Sequence, residues 1–136
     1  MHITLEADYA IRIVDCLARA RERLNAQAIA EKCSVTLRFA LKILSKLAGA
    51  GIVLSYKGSR GGYEIGRPLG DISINDIYEA INGPFQFARC LKDGYSCVLY
   101  KEDQCPYHVF FNSISGSVRE RLKETSLAEM VTHWEI

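Results

Sequence analysis

The order of periodic segments in the first 65 residues constrains the fold more than any other feature of this sequence. Three stretches with helical spacing of apolar residues come first. Two short β-branched and aromatic stretches, on either side of a glycine-rich turn, follow them. The spacing predicts helices at about 3–20, 25–33 and 36–48, and strands at about 52–56 and 63–65. These five segments fit one small unit in which a group of helices precedes a hairpin.

Capping residues and glycines mark where these segments begin and end. Asn25 suits the N-cap of the second helix, Gly49 follows the third, and Gly58, Gly61 and Gly62 lie between the two strands. The three hairpin glycines lack the strand–loop–helix setting and the Lys-Ser/Thr ending of a phosphate-binding loop, so a tight turn explains them better. Helix, short helix, helix and hairpin is the layout of a winged helix-turn-helix. The predicted fold is therefore mostly α with a small β-hairpin wing.

The second half of the chain is predicted to be helical on both sides of an irregular loop. Capping-box patterns that begin at Ser73 and Ser126 predict a helix to about residue 82 and a short C-terminal helix. Between them, residues 85–104 show little periodicity and precede a long helix at about 106–124. One side of this long helix is apolar and consists of Phe110, Phe111, Ile114, Val118 and Leu122.

The segment from Ser34 to Tyr63 contains no Asp or Glu, although acidic and basic residues are nearly balanced over the whole chain. It does contain five basic residues, which are Arg38, Lys42, Lys46, Lys57 and Arg60. The segment therefore carries a formal charge of +5, and because the chain carries +1, the remainder carries −4. A basic segment set apart from the acidic residues is typical of a protein that binds nucleic acid.

Arg38, Lys42 and Lys46 lie at four-residue intervals, so they share one face of the third helix. Like charges at this spacing each destabilise an isolated helix by roughly 0.2–0.5 kcal/mol, and a polyanion on that face would replace repulsion with attraction. A solvated cationic face is the alternative, but the acid-free segment and the wing favour binding of double-stranded DNA. The predicted contacts come from Ser34, Thr36, Arg38, Lys42, Lys46, Lys57, Ser59 and Arg60. The opposite side of the helix is expected to pack on the core through Leu37, Leu41, Leu44 and Leu47.

Three of the five cysteines and one histidine cluster in the predicted loop and at the start of the long helix. Six residues separate Cys90 from Cys97, seven separate Cys97 from Cys105, and His108 follows three positions after Cys105. Clustered thiolates bind zinc, copper(I) or iron–sulfur centres. Structural zinc sites pair cysteines about two to four residues apart, so the wider gaps favour an iron–sulfur cluster. A 2Fe–2S cluster is preferred, 4Fe–4S stays open, and unligated surface thiols are the alternative.

The remaining sequence features concern the other two cysteines and the cellular compartment. Cys16 and Cys33 fall within the first and second helices, and we expect both to pack as small reduced side chains. No apolar run approaches the roughly 18 residues of a membrane-spanning helix, and acidic residues stand near the N-terminus where a signal peptide is basic. These features predict a cytoplasmic protein with no membrane partner, in which clustered cysteines are metal ligands or redox groups.

Four sequence marks are specific when they occur together. They are Asp8-Tyr9-Ala10 in the first helix, Leu37 to Leu44 in the third, Gly61-Gly62-Tyr63 at the wing, and the three clustered cysteines. Together they resemble the winged-helix iron–sulfur transcription regulators that include IscR, NsrR and CymR, over nearly the whole chain. The resemblance implies a homodimer formed through the long C-terminal helix. It also implies a cluster held by the three cysteines, and operator binding that depends on the state of that cluster.

The resemblance offers two candidates for a fourth ligand. One branch of the family has a histidine three residues after the last cysteine, which matches His108. Another has an acidic residue in the first helix of the partner subunit, which matches Asp8. Because Asp8 could instead pair with Arg12 at i+4, His108 is preferred. The third helix departs from the family's usual tyrosine and glutamate at Phe39 and Leu41, so the operator sequence is not carried over.

The residues and the resemblance predict a homodimeric transcription regulator, not an enzyme, whose DNA binding is controlled by an iron–sulfur cluster. The cluster would sense redox state, nitric oxide, or the supply of iron or clusters. Residues 1–83 would form the DNA-binding unit, 84–105 the cluster-binding loop, and 106–136 the dimerisation helix with a short last helix. Three alternatives remain: a cluster-free repressor of the CymR type, an iron–sulfur redox protein that does not bind DNA, and a zinc-stabilised interaction module.

Overall fold

The computed structural model describes residues 3–101 and 104–133. Residues 1–2, 102–103 and 134–136, which belong to the predicted segments 1–83, 84–105 and 106–136, lie outside the described residues. Within the described residues, six α-helices and one two-stranded antiparallel hairpin follow in chain order. They are α1 (Leu5–Ala20), α2 (Ala26–Cys33), α3 (Leu37–Gly49), β1 (Val53–Tyr56), β2 (Gly62–Ile65), α4 (Ile74–Asn82), α5 (Pro106–Glu124) and α6 (Leu127–His133), with short 3₁₀ turns at Leu69–Asp71 and Arg89–Leu91. The predicted fold, mostly α with a small hairpin, is confirmed.

Side-chain caps explain where the helices begin. The hydroxyl or amide oxygens of Thr4, Asn25 and Thr36 accept hydrogen bonds from the backbone N–H three residues later, at 3.1, 2.8 and 3.2 Å. Ser73 and Asp76 form the predicted capping box, in which each side chain accepts the other residue's backbone N–H, at 3.0 and 2.9 Å. The first helix begins two residues later than predicted because Thr4 caps it.

The core lies where α1, α3 and α4 meet, and α2, the hairpin and α6 close its sides. Its largest fully buried side chains include Ile13, Leu17, Ile29, Ile43, Leu44, Leu47, Ile52 and Ile77. The prediction that Leu37 and Leu41 pack on this core is wrong, because each is 41% exposed. The inward face of α3 is centred on Ala40, Ile43 and the two other leucines, so Leu37 and Leu41 lie at its margin.

A backbone bridge fixes the wing against the connection between α1 and α2. Leu24 donates its N–H to the Tyr63 carbonyl at 3.0 Å, and Tyr63 donates to the Leu24 carbonyl at 2.8 Å. Gly62 makes this close approach possible. Its φ is +149°, and a Cβ there would lie 2.6 Å from the Leu24 carbonyl oxygen. The wing therefore belongs to the same packed unit as the helices before it.

The C-terminal helices pack on the N-terminal unit over a small area. α5 contacts α4, and α6 contacts α1 and the turn at Leu69–Asp71. Only Ser115 is fully buried among the 19 residues of α5. Along its apolar stripe Phe110 is exposed, while the other four members are partly buried. The division into segments 1–83, 84–105 and 106–136 stays a prediction.

Candidate DNA-binding surface and cysteine cavity

The predicted DNA-contacting residues of the helix-turn-helix lie on the outer side of α3 and at its N-terminal end. Arg38 and Lys42 are exposed, and Lys46 is partly exposed. Ser34 ends α2 in the left-handed conformation, with φ 54°, and Thr36 caps α3; both are exposed. The structure thus leaves the N-terminal end of α3, the end that usually meets base edges, open to a partner.

The wing presents the other three predicted contacts. Lys57, Ser59 and Arg60 are all exposed at its tip. Arg23 supports the tip from below, with its guanidinium 3.3 Å from the centre of the Tyr56 ring and a hydrogen bond of 3.1 Å to the Arg60 carbonyl. The sequence interpretation missed Arg23, because an isolated arginine in a connecting segment carries no signal of this contact.

The basic segment is not free of acid in three dimensions. Glu6 of α1 reaches α3, where its carboxylate lies 2.7 Å from the Lys46 Nζ and 3.5 Å from the Lys42 Nζ. The close Lys46 ammonium lowers the pKa of Glu6 below its ordinary value, against the opposing effect of burial. The sequence interpretation placed these lysines away from carboxylates, and this part is wrong because α1 packs beside α3.

The three clustered cysteines and His108 line one small cavity of about 130 Å³ between the loop and the start of α5. The rest of the lining is apolar or aromatic and consists of Ala88, Tyr95, Tyr100, Tyr107 and Phe111. Among the residues that the structure describes, no three His, Cys, Asp or Glu side chains are arranged to hold a single metal ion. Ligands of an iron–sulfur cluster surround several iron and sulfide atoms and stand farther apart. Thiolates with an occasional histidine are the donors that such clusters use, so the donor chemistry of this cavity fits an iron–sulfur cluster.

The thiols of Cys97 and Cys33 differ in exposure and in pKa. Cys97 is exposed, and hydrogen bonds from the backbone of Leu99 and Tyr100 lower the pKa of its thiol, which favours the metal-binding thiolate. By contrast, Cys16 and Cys33 are half-buried free thiols in the helical unit. Burial, followed by the neighbouring Cys16, raises the pKa of Cys33 to about 11, so Cys33 stays protonated at neutral pH. This environment agrees with the packing role expected for Cys33.

The start of the cysteine loop, which comprises residues 84–105, is hydrogen-bonded to α5. The buried Ser115 hydroxyl accepts a hydrogen bond from the Phe87 N–H at 2.8 Å and donates to the Phe111 carbonyl at 2.9 Å. Arg119 donates to the Phe85 carbonyl at 2.6 Å, and the rings of Phe87 and Phe111 stack with centroids 5.3 Å apart. The loop shows little periodicity of its own, and at residues 85–87 α5 holds it in place.

The two candidates for a fourth ligand occupy different places in the chain. His108 lies in the first turn of α5, three residues after the N-cap residue Cys105. Both side chains line the cavity. Asp8 lies in α1 and pairs with Arg12 at 3.0 Å, the i+4 contact considered from the sequence. Within one chain, the cavity lining includes His108 and not Asp8.

A family model described as "Rrf2: Iron-dependent Transcriptional regulator" matches residues 3–133. The chain belongs to the Rrf2 family. Among curated relatives, an HTH-type transcriptional regulator of Mycobacterium tuberculosis is 30% identical over 132 aligned positions, which cover 96% of this chain and 81% of the relative. IscR of Citrobacter koseri is 26% identical over 143 aligned positions, gaps included, which cover 100% of this chain and 83% of that protein. The resemblance to regulators that include IscR is confirmed.

Solved structures share the Rrf2 fold. CymR, the global cysteine regulator of B. subtilis, superposes with a TM-score of 0.77 at 21% identity over 99% of both chains. IscR of T. potens gives a TM-score of 0.73 at 21% identity, over 98% of this chain and 88% of that one. At this identity the likeness shows the winged-helix fold alone. The family and the relatives are transcriptional regulators, so this Rrf2 protein is a DNA-binding transcriptional regulator and not an enzyme. No described helix has the length and apolarity to cross a bilayer.

Proposed function

We propose that this Rrf2 protein is a cytoplasmic, homodimeric regulator whose affinity for its operator depends on an iron–sulfur cluster held by Cys90, Cys97, Cys105 and His108. The observation that carries the proposal is that all four side chains line one cavity. The family description, which includes iron dependence, supports it. The basic outer side of α3 and the exposed wing tip supply the surface for double-stranded DNA.

Two kinds of ligand in the cavity would bind the cluster. The three cysteines would bind iron as thiolates, and the imidazole of His108 would complete the set as a neutral ligand. When bound, an iron–sulfur cluster, with 2Fe–2S preferred to 4Fe–4S, supplies iron that changes oxidation state and is open to attack by oxidants. The aromatic lining, including Tyr107 and Phe111, would keep water from part of this site.

Phe111 and Ser115 connect the cavity to the rest of the molecule. Phe111 lines the cavity and stacks on Phe87, and Ser115, one turn later in α5, binds the backbone of Phe87. A rearrangement of the loop would therefore reach α5 through packed and hydrogen-bonded contacts. In a dimer joined through α5, such a shift would change the separation of the two α3 helices and bias the population that fits the operator.

The dimer would form along the apolar stripe of α5. The exposed Phe110 and the partly buried Ile114, Val118 and Leu122 follow one another along the helix, whose burial within a single chain is low. A two-fold axis would place two α3 helices about 34–36 Å apart, one turn of DNA. Analytical ultracentrifugation should give a dimer at micromolar concentration, and a monomer there would contradict this part of the proposal.

Anaerobic purification tests the cluster directly. We expect a coloured protein that contains iron and sulfide, and loss of the visible absorption when Cys90, Cys97 or Cys105 is replaced by Ala. The matched controls Cys16→Ala and Cys33→Ala should keep it, since both thiols lie in the helical unit. A colourless, iron-free protein that still binds DNA would favour the cluster-free repressor instead.

The fourth ligand is tested by two substitutions in the coloured protein. His108→Ala should shift the visible spectrum and lower the reduction potential, because an imidazole raises the potential relative to a thiolate or solvent-derived anion. Asp8→Ala should leave both unchanged, since Asp8 is paired with Arg12. The reverse pattern would place the ligand on the partner subunit, and two unchanged spectra would exclude both residues.

The DNA surface is tested by the salt dependence of binding. Arg38→Ala and Lys42→Ala should each weaken binding, and removal of one phosphate contact should reduce the log–log slope against salt by about one unit. Lys123→Ala is a matched control, because Lys123 is an exposed lysine paired with Glu120 on α5, as Lys42 is paired with Glu6 on α1. Unchanged affinity and slope in both α3 variants would contradict the DNA-binding role of this helix.

A further inference from the structure

Glu6 is held in a fixed position beside the basic face of α3. Thr4 caps α1, and its hydroxyl accepts a hydrogen bond from the Asn82 amide of α4 at 2.9 Å, so the first turn of α1 is anchored at its start. The Glu6 side chain is only 19% exposed. Its carboxylate is therefore a built-in negative charge at the edge of the surface proposed to bind DNA.

The two lysines that Glu6 contacts are engaged to different extents. Lys46 lies 2.7 Å from one carboxylate oxygen and its side chain is 37% exposed. Lys42 lies 3.5 Å from the other oxygen and its side chain is 59% exposed. Lys46 is thus held close to α1, whereas Lys42 is shared between Glu6 and the solvent. A phosphate near α3 would compete with Glu6 for Lys42 and would meet Lys46 already paired.

This pairing changes how many phosphates α3 is able to neutralise. Each lysine that binds a phosphate releases counterions, which strengthens binding to any DNA sequence. A lysine that must first leave a carboxylate contributes less of this attraction. The effect falls on the electrostatic contribution, which is nearly all of non-specific binding and a share of specific binding, and leaves contacts with base edges unchanged.

We propose that Glu6 weakens the electrostatic attraction of this chain to DNA by competing with DNA phosphates for Lys42 and Lys46. The inference rests on the proposed DNA-binding role of α3. In the free protein, Glu6 holds both ammonium groups. Base contacts on a cognate site add to the weakened attraction, whereas other sequences offer mainly their phosphates. Glu6 therefore lowers the affinity for DNA of any sequence and makes stable binding depend more on base contacts.

The test measures binding of the full-length chain to a mixed-sequence duplex long enough for two half-sites, by fluorescence anisotropy over a range of salt concentrations. Glu6→Gln, which removes the charge and keeps the shape, should tighten this non-specific binding roughly tenfold at about 0.1 M salt and steepen the log–log slope by about one to two units per bound subunit. An unchanged or shallower slope would overturn the inference. A merely structural role for Glu6 would not steepen the slope.

Two further variants keep the result interpretable. In Glu6→Gln combined with Lys42→Met, at least half of the gain in slope should disappear, because the released lysine is absent. In Glu6→Asp the side chain is shorter by one methylene and reaches the lysines less well. This variant should give a slope steeper than that of the wild type, and it keeps the test available if Glu6→Gln folds poorly. An Asp variant identical to wild type would count against the competition.

Glu120→Gln is the matched control, since Glu120 pairs with Lys123 on α5 and not with α3. It should leave the slope unchanged, and an increase equal to that of Glu6→Gln would reduce the effect to net charge and overturn the inference. The proposed function fails separately: a wild-type chain without salt-dependent binding to the duplex contradicts DNA binding itself. Wild-type binding that Glu6→Gln does not alter contradicts only the role of Glu6.

Discussion

The helix α3 and the cysteine loop differ in what holds them in place. The inward face of α3, with Ala40, Ile43, Leu44 and Leu47, is fully buried against α1 and α4. Residues 92–101 of the loop are all exposed, Val98 by 98%. The helix needs no added group to hold its shape, whereas the loop has almost no core of its own. A segment of this kind has low local stability and is suited to respond to a bound group.

The largest effect expected from this difference concerns two leucines. Leu44→Ala should lower the free energy of unfolding by about 2–5 kcal/mol, because Leu44 is fully buried and a cavity would remain. Leu99→Ala removes the same atoms from a residue that is 78% exposed in the loop, and should change stability by no more than about 0.5 kcal/mol. Urea denaturation of both variants measures this. Equal losses would mean that the loop contributes to the core.

A smaller effect is expected where the two regions meet, at Ser115. Ser115→Ala would leave the Phe87 N–H without its partner in a partly buried position and should cost about 1–2 kcal/mol. Ser117→Ala is the control, because the exposed Ser117 hydroxyl only donates to the Ser113 carbonyl at 3.3 Å. Hydrogen exchange should show faster exchange at residues 85–91 in the first variant and no change in the second. Unchanged protection in both would show that the loop is not fastened there.

The smallest effect concerns the ion pairs of Glu6, and it depends on pH. The pKa of Glu6 is lowered from its ordinary 4.5, so its stabilising contribution is fully present above that pH and is lost as the pH falls through the lower folded value. Glu6→Gln should therefore cost less than about 1 kcal/mol at neutral pH, with Lys42 mostly exposed. The difference from wild type should vanish at strongly acidic pH. Thermal unfolding across this range checks it, and a difference that grows with acidity would contradict the assignment.

The helical unit could be predicted because several local signals agreed. Periodicity located the helices, and Asn25 and Ser73 marked the starts of two of them, as the hydrogen bonds of these two caps confirm. The hairpin glycines marked the turn between the two strands. Burial was harder to predict than secondary structure. Leu37 and Leu41 are apolar and helical, yet both lie at the margin of the packed face. Which apolar residues become buried depends on how neighbouring helices pack, and a single segment does not contain that information.

The candidate site shows the same division between local and tertiary information. Spacing grouped the three cysteines with His108, and all four line one cavity. Nothing in the sequence marked Glu6 or Ser115. Glu6 acts on another helix, and Ser115 binds a backbone group 28 residues earlier in the chain. A carboxylate or hydroxyl that serves a distant part of the chain looks the same, in sequence, as one that faces solvent.

The construction of the wing has a practical consequence for engineering. At Gly61 and Gly62, a Cβ would lie within 2.7 Å of a backbone carbonyl oxygen, so neither position accepts a larger residue without moving the hairpin. The side chains of Lys57, Ser59 and Arg60 project from the same turn and are exposed. Randomising these three codons, with the two glycines kept, would give a library in which the proposed DNA contacts of the wing vary on a constant scaffold. Selection from such a library would test whether the operator preference of a regulator changes while its fold is kept.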